Sequence, residues 1–317
     1  MYVYIIRRVL TGIPVILGVL TVVFLSLHLT PGDPIDLLIP ADVPAGAGEE
    51  LAAQLRARYG LDQPLHTQFI MYMKRALTLD FGESIRTRRP VAPSLLERYP
   101  ATIELAIFAM AAAMLVGIPA GIVSAIRQNS VADNISMTIS LLGVSLPNFW
   151  LGLLLMLLFG LRLGWLPLSG RIGGFWSVEA IKHLLMPALT IGVAAMGILA
   201  RLTRSAMLDV LREDYIRTAR AKGLRERVVI YRHALKNALI PVITVLGLQF
   251  GGLLAGAVIA ETIFAWPGIG RYMVLGITGN DFPAVQGGVV FVAATFVVVN
   301  LGVDLLYGFL DPRISYS

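Results

Sequence analysis

The chain alternates between long apolar segments and shorter polar ones. About 20 apolar residues in a helix cross roughly 30 Å of hydrocarbon, and a helix satisfies its own backbone hydrogen bonds there. The pattern therefore predicts an all-α polytopic membrane protein with six transmembrane helices. Their expected positions are residues of about 9–29, 101–126, 135–161, 184–202, 240–264 and 289–310.

The polar stretches between these segments predict the domain organisation. Residues 1–30 would form an N-terminal segment and the first helix, residues 31–100 a small helical extracytoplasmic domain, and residues 101–317 the core with helices 2–6. Six crossings that start inside place both termini and the loop 208–237 in the cytoplasm. The density of Lys and Arg in that loop independently indicates the same side of the membrane.

Composition supports a membrane protein and removes several other classes. The chain is 56% hydrophobic and 15% charged, with a mean hydropathy of +0.76, which is far more apolar than an ordinary soluble domain. Its net charge of +6 comes from basic residues beside apolar segments, which favours a cytoplasmic flank over nucleic-acid binding. Since the chain has no cysteine, disulfides and thiolate chemistry are excluded.

The loop 208–237 is the most charged part of the chain, with eight basic residues against four acidic ones. Apolar residues recur at steps of three and four on both sides of Gly223, which predicts two short amphipathic helices with a break at that glycine. We call this segment the basic hairpin. One alternative is that it lies on anionic lipid. The predicted stripes are Leu208, Leu211, Tyr215 and Ala219, then Leu224, Val228, Tyr231 and Leu235.

The sequence contains no recognisable nucleotide-binding, metal-binding or catalytic motif. No G-x-x-x-x-G-K-[ST] sequence is present, so any ATP chemistry is expected from a partner. The four histidines are scattered without metal-ligand spacing, and no serine stands in a G-x-S-x-G elbow. The span centres are almost free of charge. Pairing or snorkelling is expected for three carboxylates near span ends, namely Glu104, Glu261 and Asp304.

Small residues with four-residue spacing predict close helix packing inside the membrane. Prolines within two of the spans, Pro119 and Pro147, are expected to be tolerated as kinks. The glycine pairs are Gly117 and Gly121, Gly247 and Gly251, and Gly252 and Gly256.

Several motifs in order along the chain resemble one known family. The hairpin sequences 217–223 (RTARAKG) and 232–241 (RHALKNALIP) closely resemble the cytoplasmic Glu-Ala-Ala loop of binding-protein-dependent ABC importer permeases, in the oligopeptide and dipeptide subfamily. Arg217 stands where the general pattern has Glu, and Lys236 where it has Pro. The other matching motifs are 31–34 (PGDP), 59–64 (YGLDQP), 80–82 (DFG), 202–205 (LTRS), 261–264 (ETIF), 266–268 (WPG), 304–307 (DLLY) and 311–313 (DPR).

This resemblance implies a type I ABC importer permease fold and a function. The chain would be the permease subunit of an importer for di- or oligopeptides in a prokaryotic cell membrane. It would have no catalytic, metal or cofactor site of its own, and ATP and Mg would be bound by two ATPase partner subunits. The other implied partners are a second permease subunit and an extracytoplasmic substrate-binding protein.

In the family the basic hairpin is a coupling helix that sits in a groove of the ATPase. The residues expected at this contact are Arg217, Thr218, Ala219, Arg220, Ala221, Lys222, Gly223 and Leu224. Within the class, glutathione, nickel or oligosaccharide are alternative substrates. An ATP-independent carrier or channel is the alternative class.

Overall fold

The computed structural model describes residues 2–29, 44–59, 62–173 and 177–310. The motifs at 31–34 and 311–313 and the side chain of Asp304 lie outside what is described. The described residues are largely helical. The helices are α1 Tyr2–Leu29, α2 Ala45–Tyr59, α3 Leu65–Leu77, α4 Val91–Ile126, α5 Val131–Ser145, α6 Asn148–Leu155, α7 Val178–Leu211, α8 Asp214–Ala221, α9 Glu226–Val228, α10 Leu235–Gly256, α11 Val258–Ile263, α12 Ile269–Thr278 and α13 Phe282–Leu310.

Four helices are long and apolar enough to cross a membrane, or five with one bent pair. They are α4, α7, α13 and the continuous helix that joins α9 to α10, and the bent pair is α5 with α6. In α1 the apolar stretch among residues with described side chains is the shorter Leu10–Ser26. The count of six crossings therefore stays a prediction, while the all-helical membrane architecture is confirmed.

The predicted third span is broken rather than kinked. Helix α5 ends at Ser145, and α6 starts at Asn148 with its axis turned by 105°. Proline has no N–H to donate and its ring restricts the residue before it, so Pro147 ends α5 and serves as the N-cap of α6. Pro119 lies inside α4, so that helix tolerates it, whereas the span that contains Pro147 is interrupted there.

Two of the predicted glycine pairs bring helices into contact. A Cβ built on Gly117 would lie 2.6 Å from the carbonyl oxygen of Met196, and one on Gly121 would lie 2.5 Å from that of Ala200. Helices α4 and α7 thus pack backbone to backbone, in parallel, because only glycine allows this approach. Gly247 and Gly251 meet side chains of α13, those of Val303 and of Asn300 and Phe296, whereas Gly252 faces open space.

The N-terminal helices pack on the end of the chain. Leu20 of α1, Ala76 of α3 and Val290 of α13 form one buried cluster. Within the segment 31–100, predicted to be helical, the structure has the helices α2 and α3, but α4 begins at Val91, before the predicted boundary at residue 100. The assignment of residues 31–100 to an extracytoplasmic domain remains a prediction.

We expect Gly121→Ala to lower the yield and thermal stability of the folded protein, because its methyl group would enter the backbone of α7. Overpacking of this kind costs about 1–3 kcal/mol. The matched control is Gly18→Ala in α1, where nothing lies within 4 Å. There the loss of glycine should be neutral or stabilising by about 0.5–1 kcal/mol. Fluorescence size-exclusion chromatography after heating measures both, and equal melting of the two variants would contradict this packing.

Candidate subunit-docking site

The basic hairpin has three parts instead of two. Helix α7 runs past the predicted membrane end to Leu211, and a turn at Arg212 and Glu213 leads into the short helix α8. After a second turn, α9 begins at Glu226 and continues without a gap into α10. The second amphipathic helix predicted from the sequence is therefore the start of a long membrane helix. Leu208 and Leu211 likewise belong to the end of α7.

The break at Gly223 is confirmed, and its hydrogen bonds define a Schellman motif. Gly223 has a φ of +76°, in the left-handed region. The Gly223 N–H donates to Arg220 O at 2.9 Å and the Leu224 N–H donates to Ala219 O at 3.4 Å. These two bonds satisfy carbonyls that the end of α8 would otherwise leave free. The turn therefore has one defined geometry, which fixes where α8 points.

One face of α8 is buried within the chain itself. Ile216 is 0% exposed and Ala219 is 7% exposed. Both pack in a cluster with Ile122 and Ala125 of α4 and Met207 of α7. The apolar face of the hairpin thus has its partner in the same chain.

The predicted apolar stripes are partly misplaced. Tyr215 is exposed, and its hydroxyl accepts a hydrogen bond from Asn237 Nδ2 at 2.7 Å. Tyr231 is also exposed, while Val229 and Ile230 are buried. A π-helical turn over Val229–Ala234 causes the second error. A turn of this kind holds more residues than an α-turn, so it shifts the buried positions that an α-helical period predicts.

The outward face of α8 and its turn carries seven of the eight predicted contact residues. Ala219 is the exception, because it packs inward. The exposed ones are Arg217, Thr218, Arg220, Ala221, Lys222, Gly223 and Leu224.

Ion pairs within the hairpin constrain two of its cations. Arg220 Nη2 and Nε lie 2.7 Å and 3.2 Å from the two carboxylate oxygens of Glu226, so this bidentate pair spans the turn at Gly223. The hydrogen bond to Glu226 raises the pKa of the Arg220 guanidinium above its ordinary value. Arg217 Nη1 lies 3.3 Å from Asp214 Oδ1. Exposed pairs contribute at most about 1 kcal/mol, so they orient these side chains more than they stabilise the fold.

Sequence analysis did not predict a buried ion pair that lies close to the start of the basic hairpin. Arg204 of α7 donates two hydrogen bonds of 2.7 Å to the carboxylate of Asp133, which is 2% exposed. The same carboxylate accepts hydrogen bonds from Ser124 Oγ of α4 and from the N–H of Asn129. This network ties α4, α5 and α7 together where α7 leads into the hairpin. Asp133 and Arg204 are 71 residues apart, so no local pattern connects them.

The two other carboxylates noted in the sequence have different surroundings. Glu104 is paired as expected, since Arg171 Nε donates to its Oε2 at 2.6 Å. Glu261 is fully buried and has no ion pair with a cation in the described part of the chain. Its carboxylate accepts hydrogen bonds from Thr102 Oγ1 at 2.7 Å and from the N–H of Arg271 at 3.0 Å. It thereby caps the first turn of α12, where the helix dipole favours a negative charge.

The fold is similar to that of a solved membrane protein. A chain from the MetNI methionine ABC transporter, solved in inward-facing conformations, superposes with a TM-score of 0.56. That match covers 68% of this chain and 96% of the other at 15% identity, so it shows a shared fold.

Sequence comparisons give the family. Residues 117–316 match the family described as binding-protein-dependent transport system inner membrane component, and residues 1–106 match its N-terminal companion family. The chain belongs to this family. It is a membrane-spanning component of a transport system rather than an enzyme.

Relatives match over the whole chain. The dipeptide transport system permease protein DppB of Alkalihalophilus pseudofirmus is 47% identical, with 100% of both chains covered. The di/tripeptide transport system permease protein DppB of Pseudomonas aeruginosa is 42% identical over 99% of each chain. The glutathione transport system permease protein GsiC of Salmonella choleraesuis is 43% identical over 99% of each chain.

Proposed function

We propose that this chain is the permease subunit of an ABC importer for dipeptides and other short peptides, and that it couples ATP hydrolysis by partner subunits to alternating access. The observation that carries the proposal is the 47% identity, over the full length, to a dipeptide permease. ATP and Mg would be bound by the partners, since the sequence contains no phosphate-binding loop.

The assembly that this function requires has four kinds of component. They are this chain, a second, similar permease, two cytoplasmic ATPase subunits and an extracytoplasmic binding protein that delivers the peptide. The complex would lie in a prokaryotic cell membrane with both termini of this chain in the cytoplasm. The excess of basic residues in the basic hairpin supports that orientation.

In this assembly the outward face of α8 would contact an ATPase subunit. The geometry suits a coupling element because α8 is attached rigidly on three sides. It is joined to α7, packed on α4 through Ile216, and held to α9 by the turn at Gly223 and the Arg220–Glu226 pair. A movement of α8 would therefore reach the membrane helices without being absorbed by a flexible loop.

Cysteine cross-linking tests this contact directly, because the chain has no native cysteine. We expect Thr218→Cys and Ala221→Cys to cross-link to an ATPase subunit that carries cysteines around its docking groove. Ala219→Cys is the matched control, since this position lies between the other two but is buried. Equal cross-linking at all three positions, or at none, would contradict docking through the outward face.

Uptake by the assembled transporter tests the substrate class. We expect cells that carry the whole importer to accumulate labelled dialanine only when this chain is present, and unlabelled short peptides to compete. Glutathione is the second candidate, because GsiC matches this chain as fully as the dipeptide permeases do. Competition by glutathione without competition by dialanine would favour it.

Reconstitution separates this proposal from an ATP-independent carrier. We expect liposomes containing this chain alone to be inactive, and ATP-dependent uptake to require both permeases, the ATPases and the binding protein. Counterflow of dialanine by the chain alone would refute the importer assignment.

A further inference from the structure

Helix α7 is covered on three sides and open on the fourth. On one side it meets α4, where Gly121 approaches Ala200. On the second it meets α5, where Gly197 approaches the carbonyl oxygen of Ser140. On the third side it meets α10 through the cluster that contains Leu199 and Val242. The exposed residues in the cytoplasmic half of α7 include Arg201 and Ser205, which are four apart and share the remaining face.

Arg201 is an exposed cation whose contacts differ from those of its neighbour Arg204. Three residues further along, Arg204 forms the bidentate pair with Asp133. For Arg201, no hydrogen bond or ion pair occurs with any part of the chain that the structure describes. The position of Arg201 along the helix axis can be read from its neighbour Ala200, which lies beside Gly121 of α4. Gly121 is five residues before the end of α4 at Ile126. At 1.5 Å per residue, Arg201 is about 7 Å inside that end.

The exposed surface of α5 has a largely polar stripe and an apolar stripe. Asn134, Thr138 and Ser145 are exposed at spacings of four and seven residues, which places them along one side of the helix, together with the exposed Leu141. The side chains of Ile135, Ile139 and Leu142 are exposed along another side. A helix surrounded only by lipid has no need of such a division, because polar groups are costly in hydrocarbon.

The polar stripe of α5 lies next to the open face of α7. The two helices are antiparallel, because Asp133 meets Arg204 while Gly143 meets Val193. For two right-handed helices in this arrangement, with α4 on the far side of α7, the polar stripe and Arg201 point in the same direction. Together they form a polar lane, which we define as Asn134, Thr138, Ser145, Arg201 and Ser205. The lane runs from the helix break after Ser145 to the cytoplasmic ends of both helices.

We propose that this polar lane is the half of the substrate path contributed by this chain, and that Arg201 binds the carboxylate of the passing peptide. The inference rests on the proposed function and adds a recognition site to it. A short peptide always carries a C-terminal carboxylate, whatever its side chains. A guanidinium matches that group with a planar, bidentate set of donors. Hydroxyl and amide groups along the rest of the lane suit a peptide backbone without selecting among sequences.

Cysteine accessibility tests the lane in the full complex of permeases and ATPases. We expect Thr138→Cys to react with a water-soluble, charged methanethiosulfonate, because the thiolate that reacts forms only in water. The matched control is Ile139→Cys, the next residue of the same helix at the same depth, on the apolar stripe. It should react at least about tenfold more slowly, since burial in apolar surroundings suppresses the thiolate. Equal rates at the two positions would overturn the lane.

Reagent charge tests the cation. In Ser205→Cys, one helical turn from Arg201, a sulfonate-bearing methanethiosulfonate should be favoured over a trimethylammonium-bearing one. We expect Arg201→Gln to lower this anion-to-cation rate ratio about fivefold, and Arg201→Lys to keep most of it. Arg212→Gln is the control, because it removes the same charge three turns further along α7. An unchanged ratio in Arg201→Gln would overturn the role of Arg201.

Protection by peptide tests the ligand. Millimolar dialanine should slow modification of Ser205→Cys by the sulfonate reagent, while dialanine amide, which lacks the carboxylate, should not. This protection should disappear in Arg201→Gln. If the amide protects equally, or if neither compound protects a complex that imports dialanine, the carboxylate site is refuted and the proposed function stands. If the complex imports no peptide at all, the proposed function itself fails.

Discussion

Replacement of Gly223 by Val is expected to reduce peptide uptake about tenfold or more while the protein still inserts and folds. Gly223 has a φ of +76°, and a Cβ there would meet nothing within 4 Å, so the effect is conformational and not steric. A left-handed conformation costs an L-residue roughly 1–2 kcal/mol and is least accessible to β-branched side chains. Valine would therefore open the Schellman turn and displace α8 relative to α9.

The measurement is uptake together with ATPase activity in proteoliposomes of the whole importer. ATP hydrolysis should continue or become independent of peptide, because the ATPase subunits keep their own active sites. Gly223→Asn is the matched control, since Asn is among the residues that tolerate the left-handed region best. If the Val and Asn variants transport equally well, the fixed turn has no part in coupling.

Replacement of Arg204 by Met is expected to produce the largest loss of stability. It would leave the Asp133 carboxylate, which is 2% exposed, without its cation. Removal of one partner from a buried pair costs about 3–5 kcal/mol, because the remaining charge is uncompensated. The unfolding midpoint of the detergent-solubilised complex should therefore fall clearly, and the yield of folded protein with it.

A second substitution separates this explanation from a simple loss of packing. The double variant Asp133→Asn with Arg204→Met removes the stranded charge, so it should recover part of the lost stability. Arg212→Met, at the exposed C-cap of the same helix, serves as the control and should melt like the parent protein. Identical midpoints for the single and double variants would show that the Asp133 charge is not the cause.

Local patterns were sufficient for the features that depend on neighbouring residues. The break at Gly223 was predictable because a glycine between two amphipathic segments offers the left-handed conformation that a helix end requires. Close packing of α4 against another helix was predictable from Gly117 and Gly121, because their spacing places both on one helix face.

Long-range features were not predictable in the same way. The ion pair of Asp133 with Arg204 joins residues from different helices, and Glu261 finds its hydrogen-bond donors on α4 and α12. Periodicity placed Ala219 on the apolar side of its helix, but it could not show that α4 and α7 of the same chain cover that side. The π-helical turn at Val229–Ala234 was missed because it has no recognisable sequence signal.

The sequence by itself determined that this is a helical membrane protein of a transport family, because hydropathy and motif order depend only on the chain. Only the tertiary structure decided which face of the basic hairpin is free, and which sides of α5 and α7 remain open. Those properties depend on how helices far apart in sequence pack against one another. That Arg204 is paired with a buried carboxylate while Arg201 is exposed can therefore be known only from the positions of the neighbouring helices.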